Sequence, residues 1–436
     1  MEESRKFDYY IVAEIIIGIT VNVWLAIARP TFFYIAGDTS GYQITSLSEL
    51  STIHRTPGLQ LISLIFYKIF GSNYEIADYG IVSFQCLLLI VGLLFLYLAI
   101  KEYLGIKILS FIVTTLASLV IYIFGFGHAL LTEPYAIAAM CFQVWCIIKT
   151  VKEEESKYII WSIVIGMLCA IIRPSHLLLL GIIGGFIIIY GFANHHWIFR
   201  SGLISIILCV GIIFGYCGYN RIHHNYFGVS DVKPFNDMAT ILYAETYDNP
   251  KYPEITIFVN NLIPEDIDNW TKAKTIIKEF GFDESLAYIS SCKRQNSKEY
   301  YQYIINDLRL ISQNIVVFDS LESYNSIRLA VDMIRKICLP FTFGGLWILT
   351  GACFIGAIVV SIIKRKMLWI EIGICICILS IDVASRVSCH DASLVRTGVH
   401  ALPCVFFIYA IYFKAIAQSG KWVIHIVREK LCQIGA

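Results

Sequence analysis

Charged side chains are scarce in this sequence, and their scarcity excludes an ordinary water-soluble protein. Asp, Glu, Lys and Arg make up 15% of the 436 residues, whereas hydrophobic residues make up 57%. Soluble domains usually carry about 25% charged residues. The mean hydropathy of +0.68 agrees, so we predict an all-α polytopic membrane protein. The net charge of +1, without a dense basic patch, gives no indication of a nucleic-acid partner.

The sequence also lacks the cysteine patterns that hold disulfide frameworks or metal clusters. It has 14 cysteines, but no Cys-x-x-Cys pair occurs, and most of the cysteines lie inside apolar runs. We therefore predict neither a disulfide scaffold nor a cysteine-bound metal. No internal repeat is present either, and this weighs against a transporter, because many transporters consist of two matching halves.

Long apolar runs, in contrast, are abundant, and a helix needs about 20 apolar residues to cross a bilayer. They predict about ten transmembrane helices: 9–28, 76–100, 106–124, 134–150, 158–172, 175–192, 201–219, 339–363, 368–387 and 399–417. The first run is too long for a cleaved signal peptide, so we interpret it as a retained span. The fifth and sixth runs adjoin at Arg173 and Pro174, so a re-entrant hairpin is an alternative for that pair.

The distribution of lysine and arginine predicts which loops face the cytoplasm, because short cytoplasmic loops are enriched in these residues. With the N-terminus inside, every inner connection is basic: Lys101 and Lys107; Lys149, Lys152 and Lys157; Arg200; residues 364–366; and the C-terminal tail. The outer loops then collect carboxylates, arginines and histidines. This arrangement places all the candidate site residues on the outer face.

The predicted order of spans and loops divides the chain into three regions. Residues 1–220 form an N-terminal transmembrane module, whose first outer loop, 30–75, holds the best candidate for catalysis. Residues 221–338, between spans seven and eight, form an extracytoplasmic loop or a small helical domain, because a structureless insertion of that length would be unusual. Residues 339–436 form the C-terminal transmembrane helices and a short cytoplasmic tail.

Asp38 is the strongest candidate for a catalytic group. It lies in a short polar segment after the first apolar run, between Gly37 and Gly41. Glycine lets the backbone turn sharply beside a carboxylate, and Tyr42 adds an amphipathic ring that suits a membrane interface. A helix cap is the alternative role for Asp38, because aspartate is a good N-cap residue.

His54 and Arg55 follow in the same loop. Arginine on the outer side runs against the usual bias, and its guanidinium presents paired donors that suit phosphate oxygens. Contact with lipid head groups is the alternative. The sequence after Pro57 then predicts an apolar helix, 59–70, that lies along the membrane surface and ends at Gly71.

Three further outer loops bring acidic, basic and imidazole side chains to the same face. These residues are His128 and Glu133 before the fourth span, Arg173 and His176 between the fifth and sixth, and His390 and Arg396 before the last. Each has an ordinary alternative, because a carboxylate at a helix start complements the helix dipole and a cation at the rim contacts lipid head groups. Four such loops on one face nevertheless indicate a shared site.

At these motifs the chain resembles the GT-C class of membrane glycosyltransferases, above all the dolichyl-phosphate-mannose-protein mannosyltransferase superfamily and its bacterial members that use polyprenyl-phosphate sugars. Four elements are similar and occur in the same order: the acidic motif 37–42, the element Arg55-Thr56-Pro57-Gly58, the acidic element 131–134 and the arginine-containing segment 396–403. The resemblance covers residues 8–220 best. Gly58 replaces the second proline of the family's Arg-Pro-Pro pattern, and residues 220–338 match nothing in the family.

The resemblance implies a GT-C-like bundle and a single inverting displacement at the anomeric carbon of a lipid-linked sugar. Asp38 would act as the general base toward an acceptor hydroxyl, with Glu133 as the second catalytic candidate. Arg55, Arg173 and Arg396 would stabilise the charge on the departing lipid phosphate. The protein would then be a hexosyl- or pentosyltransferase.

The remaining implications concern ligands and location. Glu133 and His128 would orient the substrate or share a divalent cation, the one cofactor left open. The partners would be a polyprenyl-phosphate-linked sugar, a glycan, lipid or protein acceptor, and membrane lipids. The location would be the bacterial inner membrane, with the site on the extracytoplasmic face. The competing interpretations are a polytopic transporter, a lipid-linked glycan flippase or polymerase, and a structural subunit.

Overall fold

Fifteen helices of ten or more residues organise the part of the chain that the structure describes. The structure is a computed structural model, and it describes residues 8–28, 39–51, 55–71, 73–120, 125–263, 267–311, 343–388 and 401–417. In chain order the helices are α1 (Tyr9–Ala28), α2 (Pro57–Phe70), α3 (Tyr74–Leu104), α4 (Lys107–Leu119), α5 (Glu133–Glu153), α6 (Ser156–Ile172), α7 (His176–Asn194), α8 (His196–His224), α9 (Val232–Tyr243), α10 (Pro253–Leu262), α11 (Asn269–Gln295), α12 (Ser297–Ile311), α13 (Phe343–Lys364), α14 (Trp369–Ser388) and α15 (Leu402–Ala417).

Each predicted span coincides with one of these helices, but the count of ten transmembrane helices is not confirmed. Within the described ranges, six helices are long and apolar enough to cross a bilayer: α1, α3, α5, α7, α8 and α13. The apolar stretches of α4, α6, α14 and α15 are shorter. Hydropathy measures composition, whereas the length of a helix depends on where the backbone turns, and α4 has only 13 residues.

Helices α3 and α5 pack along each other at the centre of the bundle. Gly92 of α3 allows the close approach, because a Cβ atom there would lie 2.8 Å from the Cα atom of Ala138. Small residues serve this purpose in membranes, where lipid is as apolar as the helices and packing contacts drive association. In the most apolar 18-residue stretch of α5, 72% of the residues are buried, the highest share among the six candidate spans of the described chain.

The helix ends gather at two poles of the bundle. At one pole, which we name the lysine end, Lys101 of α3 lies 3.0 Å from Asp8, just before α1. The predicted inner lysines 101, 107, 149 and 152 all make their contacts there. At the opposite pole, which we name the arginine end, Arg173 lies after α6 and contacts Glu133 at the start of α5.

Helices α6 and α7 form an antiparallel hairpin that reaches both poles. At the start of α6, the Tyr158 hydroxyl donates a hydrogen bond to Glu153 at 2.7 Å, while Arg173 at the other end reaches Glu133. Helix α5, between these two contacts, has 21 residues, which is about 30 Å of helix and matches the hydrocarbon core. This length disfavours the re-entrant alternative.

Helix α2 coincides with the helix predicted for residues 59–70, and it begins two residues earlier, at Pro57. Pro57 takes its first position, where the missing N–H is not needed. Gly71 ends it with a φ of +66°, a conformation that glycine adopts easily. Leu64 is buried against the bundle, whereas Ile65 and Ile69 are exposed, so the free face of α2 is apolar. That this helix lies along the membrane surface stays a prediction.

Helices α9 to α12 pack around a second apolar core, and we name this group (residues 232–311) the inserted module. Met238, Ile255 and Ile276, from three different helices, are fully buried in it. Asp268 caps α11 by accepting hydrogen bonds from two backbone N–H groups of its first turn. Helices α9 and α12 contact α14, so the module lies against the bundle.

The described cysteines are all buried. Of the 14 cysteines in the sequence, eleven belong to the described residues. Ten of these lie on helices of the bundle, and Cys292 lies in the core of the inserted module. The ten cysteines of the bundle therefore serve mainly as small packing groups, whereas Cys292 accepts a hydrogen bond from the Asn249 side chain at 3.3 Å.

Candidate functional site

Six of the ten predicted site residues belong to the described structure, and two of them, Glu133 and Arg173, form the ion pair that defines the arginine end. The six are Tyr42, Arg55, His128, Glu133, Arg173 and His176. The other four, Asp38, His54, His390 and Arg396, lie outside the described residues.

Arg55 lies over the ring of Tyr42, with its guanidinium carbon 5.2 Å from the ring centroid. This is a cation–π contact, which favours a fixed orientation of the guanidinium. Gly41 permits the approach, because a Cβ atom there would lie 3.1 Å from Arg55 Nε. The acidic motif and the arginine element therefore meet in the folded chain through these three residues.

The turn that follows Asp38 is fixed to α2. Thr39 is fully buried, and the backbone N–H of Tyr42 donates to the Thr39 carbonyl at 3.0 Å. The side chain of Gln60, on α2, donates to the Gly41 carbonyl at 3.0 Å. Asp38 immediately precedes this buried turn in the sequence, so the chain connects it directly to the turn that contacts Arg55.

A second attachment fixes the start of α2 to the end of α6. The Thr56 hydroxyl donates a hydrogen bond to the Ile172 carbonyl at 2.9 Å. Gly58 comes so close that a Cβ atom would lie 2.8 Å from the Ile171 carbonyl oxygen. A second proline at this position would put ring atoms into the same space. Gly58 therefore has a structural reason, because a larger residue would meet the backbone of α6.

The end of α6 carries the buried ion pair of the arginine end. Arg173 Nη1 lies 3.2 Å from Glu133 Oε1 and donates to the Thr132 hydroxyl at 2.8 Å. Glu133 is fully buried, and Arg173 is 7% exposed. A buried charge without a partner is strongly unfavourable, so each of the two charges stabilises the other. The pair also joins the start of α5 to the α6–α7 hairpin.

One hydrogen bond brings the two arginines to a common junction. Thr56 is the chain neighbour of Arg55, and Ile172 is the chain neighbour of Arg173. The bond from Thr56 to Ile172 therefore holds both arginines beside one point, although they come from separate loops. The contact fixes the backbone beside each arginine, while the guanidinium of Arg55 lies over Tyr42 and that of Arg173 contacts Glu133.

Both predicted site histidines of the described chain are engaged between helices. His128 is fully buried, and its Nε2 lies 3.1 Å from Oδ1 of Asn22 on α1. His176 is also fully buried, and its Nε2 lies 2.9 Å from Oε1 of Gln143 on α5. Each contact joins two parts of the bundle. Substrate binding by either histidine stays a prediction.

Asp78 of α3 is a buried carboxylate that the sequence analysis did not select. Gln43 donates to its Oδ2 at 2.9 Å, and the Tyr67 hydroxyl donates to its Oδ1 at 2.5 Å. Asp78 therefore fastens the first loop and α2 to α3. A signal was present in the sequence, because a carboxylate within the apolar run 76–100 usually faces protein rather than lipid.

The inserted module brings another cation to Arg55. Lys274 of α11 lies over the ring of Trp270, 3.7 Å from the centroid. Burial lowers the pKa of Lys274, Asp231 opposes that shift, and the positive charge of Arg55 lowers the pKa further. Lys274 is thus within electrostatic range of Arg55. No sequence signal indicated this, because the two residues belong to different regions of the chain.

The described residues do not by themselves fit a divalent metal. They contain no group of three or more His, Cys, Asp or Glu side chains placed to hold one ion. Glu133 is engaged with Arg173, and His128 is engaged with Asn22.

Among solved structures, the chain is similar to the Archaeoglobus fulgidus oligosaccharyltransferase in its complex with Zn and sulfate. The TM-score is 0.37, and the sequence identity is 11%. The superposition covers 94% of this chain and 51% of that chain, so this chain spans about half the length of its structural neighbour. No protein-family model matches the sequence, and no curated protein matches it either.

Proposed function

We propose that this chain is an integral membrane glycosyltransferase that moves a sugar from a polyprenyl-phosphate donor to an acceptor hydroxyl. The observation that carries the proposal is the hydrogen bond from Thr56 to the Ile172 carbonyl. Because of this bond, Arg55 and Arg173 lie at one junction, together with the turn that follows Asp38. The resemblance of the motifs in these loops indicates the class of reaction.

The reaction needs a base for the acceptor and cations for the leaving group. Asp38 takes the proton of the acceptor hydroxyl while the acceptor oxygen attacks the anomeric carbon. The bond from that carbon to the phosphate oxygen breaks, and its electron pair leaves with the lipid phosphate. Arg55 and Arg173 stabilise the charge that grows there. Attack opposite the leaving group inverts the anomeric configuration.

Two described contacts prepare the cations for this step. The buried Glu133 carboxylate, 3.2 Å from Arg173 Nη1, fixes the position of that guanidinium before the donor binds. The ring of Tyr42 does the same for Arg55. Guanidinium groups that are already oriented need little rearrangement when the transition state forms, so the free-energy cost of reorganisation is small. Lys274 of the inserted module adds positive charge near Arg55.

In this proposal the arginine end faces away from the cytoplasm, in a bacterial plasma membrane. The lysines gather at the opposite pole, as they do in cytoplasmic loops. An outward site suits a lipid-linked donor, because nucleotide sugars remain inside the cell. The hydrocarbon tail of such a donor stays in the bilayer while its phosphate reaches the site.

Mass analysis of surface glycans, in cells with and without the protein, tests this function. We expect a glycan to lose one sugar when the protein is absent and wild-type protein to restore it. Asp38→Asn should insert normally but fail to restore it, because losing a general base costs about 10²–10⁴-fold in rate. Asp8→Asn, the same change at the lysine end, is the matched control and should restore the glycan.

Two outcomes would overturn the proposal. One is an unchanged set of surface glycans in cells without the protein. The other is full restoration by Asp38→Asn at wild-type abundance in the membrane. A transporter would be indicated instead if the purified protein moved the lipid-linked sugar across vesicles without releasing polyprenyl phosphate.

A further inference from the structure

Helix α2 turns a stripe of polar side chains toward the bundle. Gln60, Ser63 and Tyr67 recur at three- and four-residue spacing, which places them on one face of the helix, and all three are buried. Two of them bond to other segments: Gln60 donates to the Gly41 carbonyl, and Tyr67 donates to Asp78. Specific hydrogen bonds therefore hold α2 in place, in addition to its apolar packing.

Asp78 of α3 accepts one hydrogen bond from each of two separate segments. The Tyr67 hydroxyl, on α2, donates to its Oδ1 at 2.5 Å, and the Gln43 side chain, in the first outer loop, donates to its Oδ2 at 2.9 Å. Asp78 is 8% exposed, so water competes little for these bonds. A carboxylate accepts on both oxygens, and one side chain can therefore hold the loop and the helix at the same time.

Gln43 connects this carboxylate to the candidate site. Gln43 directly follows Tyr42, and the ring of Tyr42 lies 5.2 Å from the guanidinium carbon of Arg55. Arg55 in turn lies two residues before Pro57, the first residue of α2. The cation–π contact therefore joins the two segments that Asp78 holds, and its geometry depends on how the loop and α2 are placed relative to each other.

A purely structural role is the ordinary alternative for Asp78. The residue lies in the second turn of α3, where the helix dipole favours a carboxylate only weakly. The bond from Tyr67 alone would fasten α2 to α3. The bond from Gln43 reaches across 35 residues of chain to the loop beside Arg55, and fastening α2 does not require it. This second bond is the one that indicates a role in the site.

We propose that Asp78 is a positioning residue of the donor site: through Gln43 it holds Tyr42 beneath Arg55 and so orients the guanidinium for the donor phosphate. The inference rests on the proposed function, because that function assigns the phosphate to Arg55. Asp78 acts through Gln43 rather than on the substrate. It sets the fraction of molecules in which the loop is correctly placed, and the apparent donor affinity falls in proportion to that fraction.

Gln43→Ala tests the bond from the side of the loop. It removes the donor to Asp78 without adding charge near Arg55, so binding of a fluorescent polyprenyl phosphate to the full-length protein in bilayer discs should weaken about tenfold, as expected for a lost hydrogen bond to a charged group. The matched control is Gln302→Ala, which removes a glutamine hydrogen bond of the same 2.9 Å length on the exposed surface of the inserted module. It should bind the probe like wild type.

An exchange of the two groups separates positioning from general damage to the loop. Gln43→Glu places a second carboxylate against Asp78, so the two groups repel and binding should weaken at least as much as in Gln43→Ala. Asp78→Asn in the same chain lets the new amide donate to the new carboxylate, and its oxygen still accepts from Tyr67. The double variant should recover most of the probe affinity, and a loss caused by general damage would not be recovered.

Hydrogen exchange reports the placement of the loop without any donor. The backbone N–H of Tyr42 donates to the Thr39 carbonyl at 3.0 Å, so its exchange should be faster in Gln43→Ala and in Gln43→Glu and return toward the wild-type rate in the double variant. Exchange within α5 should stay unchanged in all of them, which shows that the bundle is folded.

The outcomes distinguish this inference from the proposed function. If the exchange results hold but wild-type protein does not bind polyprenyl phosphate, the proposed function is wrong and Asp78 still positions the loop. If wild-type protein binds the probe and transfers sugar, but both Gln43 variants match it in affinity and in exchange, the function stands and the inference is wrong. Failure of the double variant to recover either property also overturns the inference.

Discussion

The two ends of the bundle use charge differently. At the lysine end, Lys101 lies 3.0 Å from Asp8, and the lysine side chain keeps 27% of its surface exposed. At the arginine end, Arg173 lies 3.2 Å from Glu133, with side-chain exposures of only 9% and 0%. The lysine end is partly solvated, whereas the arginine pair is removed from water.

This difference separates charges that orient the chain from charges that prepare a site. Partly solvated ion pairs contribute only about 0–1 kcal/mol, so the lysines chiefly bias the topology. A buried pair costs several kcal/mol of desolvation per ion, and ionisable groups at such depth usually mark a functional path. Arginine also offers paired donors that lysine lacks. Function is therefore expected at the arginine end.

The orientation of the chain in the membrane is expected to give the largest effect, because a reporter at a given position either faces the cytoplasm or does not. A reporter that works only outside the cytoplasm should give full signal at Asn269, in the inserted module, and none after Lys364, at the end of α13. The reason is the gathering of lysines at the pole opposite the arginines. A cytoplasmic reporter at the same two positions is the control and should give the reverse pattern. A cytoplasmic signal at Asn269 would contradict both the proposed extracytoplasmic location of the site and the proposed mechanism.

Disrupting the buried ion pair between Arg173 and Glu133 is expected to give the second-largest effect. Arg173→Ala leaves Glu133 buried without its arginine, which should lower the free energy of unfolding by about 3–5 kcal/mol. The double variant Arg173→Met with Glu133→Gln should recover much of that stability, because it buries no net charge, yet it should not transfer sugar. Unfolding in detergent measures the first effect, and donor turnover measures the second. Wild-type stability of Arg173→Ala would show that the pair is not needed for folding.

Substitution of Arg55 should weaken binding of the donor more than it lowers the stability of the fold. Hydrogen bonds to charged groups contribute about 1.5–3 kcal/mol, so Arg55→Ala should weaken donor binding roughly ten- to a hundred-fold. Arg55→Lys should rescue only part of this, because lysine keeps the charge but loses the paired donors. Tyr42→Phe retains the ring under the guanidinium and should bind the donor almost normally. Unchanged affinity in Arg55→Ala would place the phosphate elsewhere.

The smallest effect is expected at the lysine end. Lys101→Met should cost at most about 1 kcal/mol and leave sugar transfer unchanged. Burial raises the pKa of Asp8, but hydrogen bonds from Lys101 and Tyr97 outweigh it, so the pKa lies below the usual 3.8. A lowered folded-state pKa stabilises the fold above pH 3.8 and stops doing so as the pH falls through that lower value. The difference between wild type and Lys101→Met should therefore be present at neutral pH and vanish in acid.

The helices were predictable because composition and local signals determine them. The apolar run 9–28 coincides with α1. Helix α2 ends before Gly71 as predicted, and it begins at Pro57, two residues before the predicted start. The second core of the inserted module was less clear from the sequence, because its helices mix polar and apolar residues. The count of ten spans stays a prediction, since within the described residues the apolar run 106–124 contains a helix of 13 residues.

The contacts within the site were not predictable, because they join distant parts of the chain. The sequence indicated Glu133 and Arg173 as separate ligands, and only the hairpin of α6 and α7 pairs them. Gly58 was counted as a departure from a motif, but its reason is the carbonyl of Ile171. No local pattern distinguishes these positions, because each depends on the element packed against it.

The burial of the described cysteines makes the protein well suited to thiol-labelling experiments. A membrane-impermeant maleimide reacts with an exposed thiolate, and burial both shields a thiol and disfavours its ionised form. The eleven described cysteines are all buried, so replacing only Cys338, Cys389 and Cys432, which lie outside the described residues, should leave a nearly unreactive background. A single new cysteine at an exposed position would then report which aqueous compartment it faces and how that access changes when a lipid occupies the bundle.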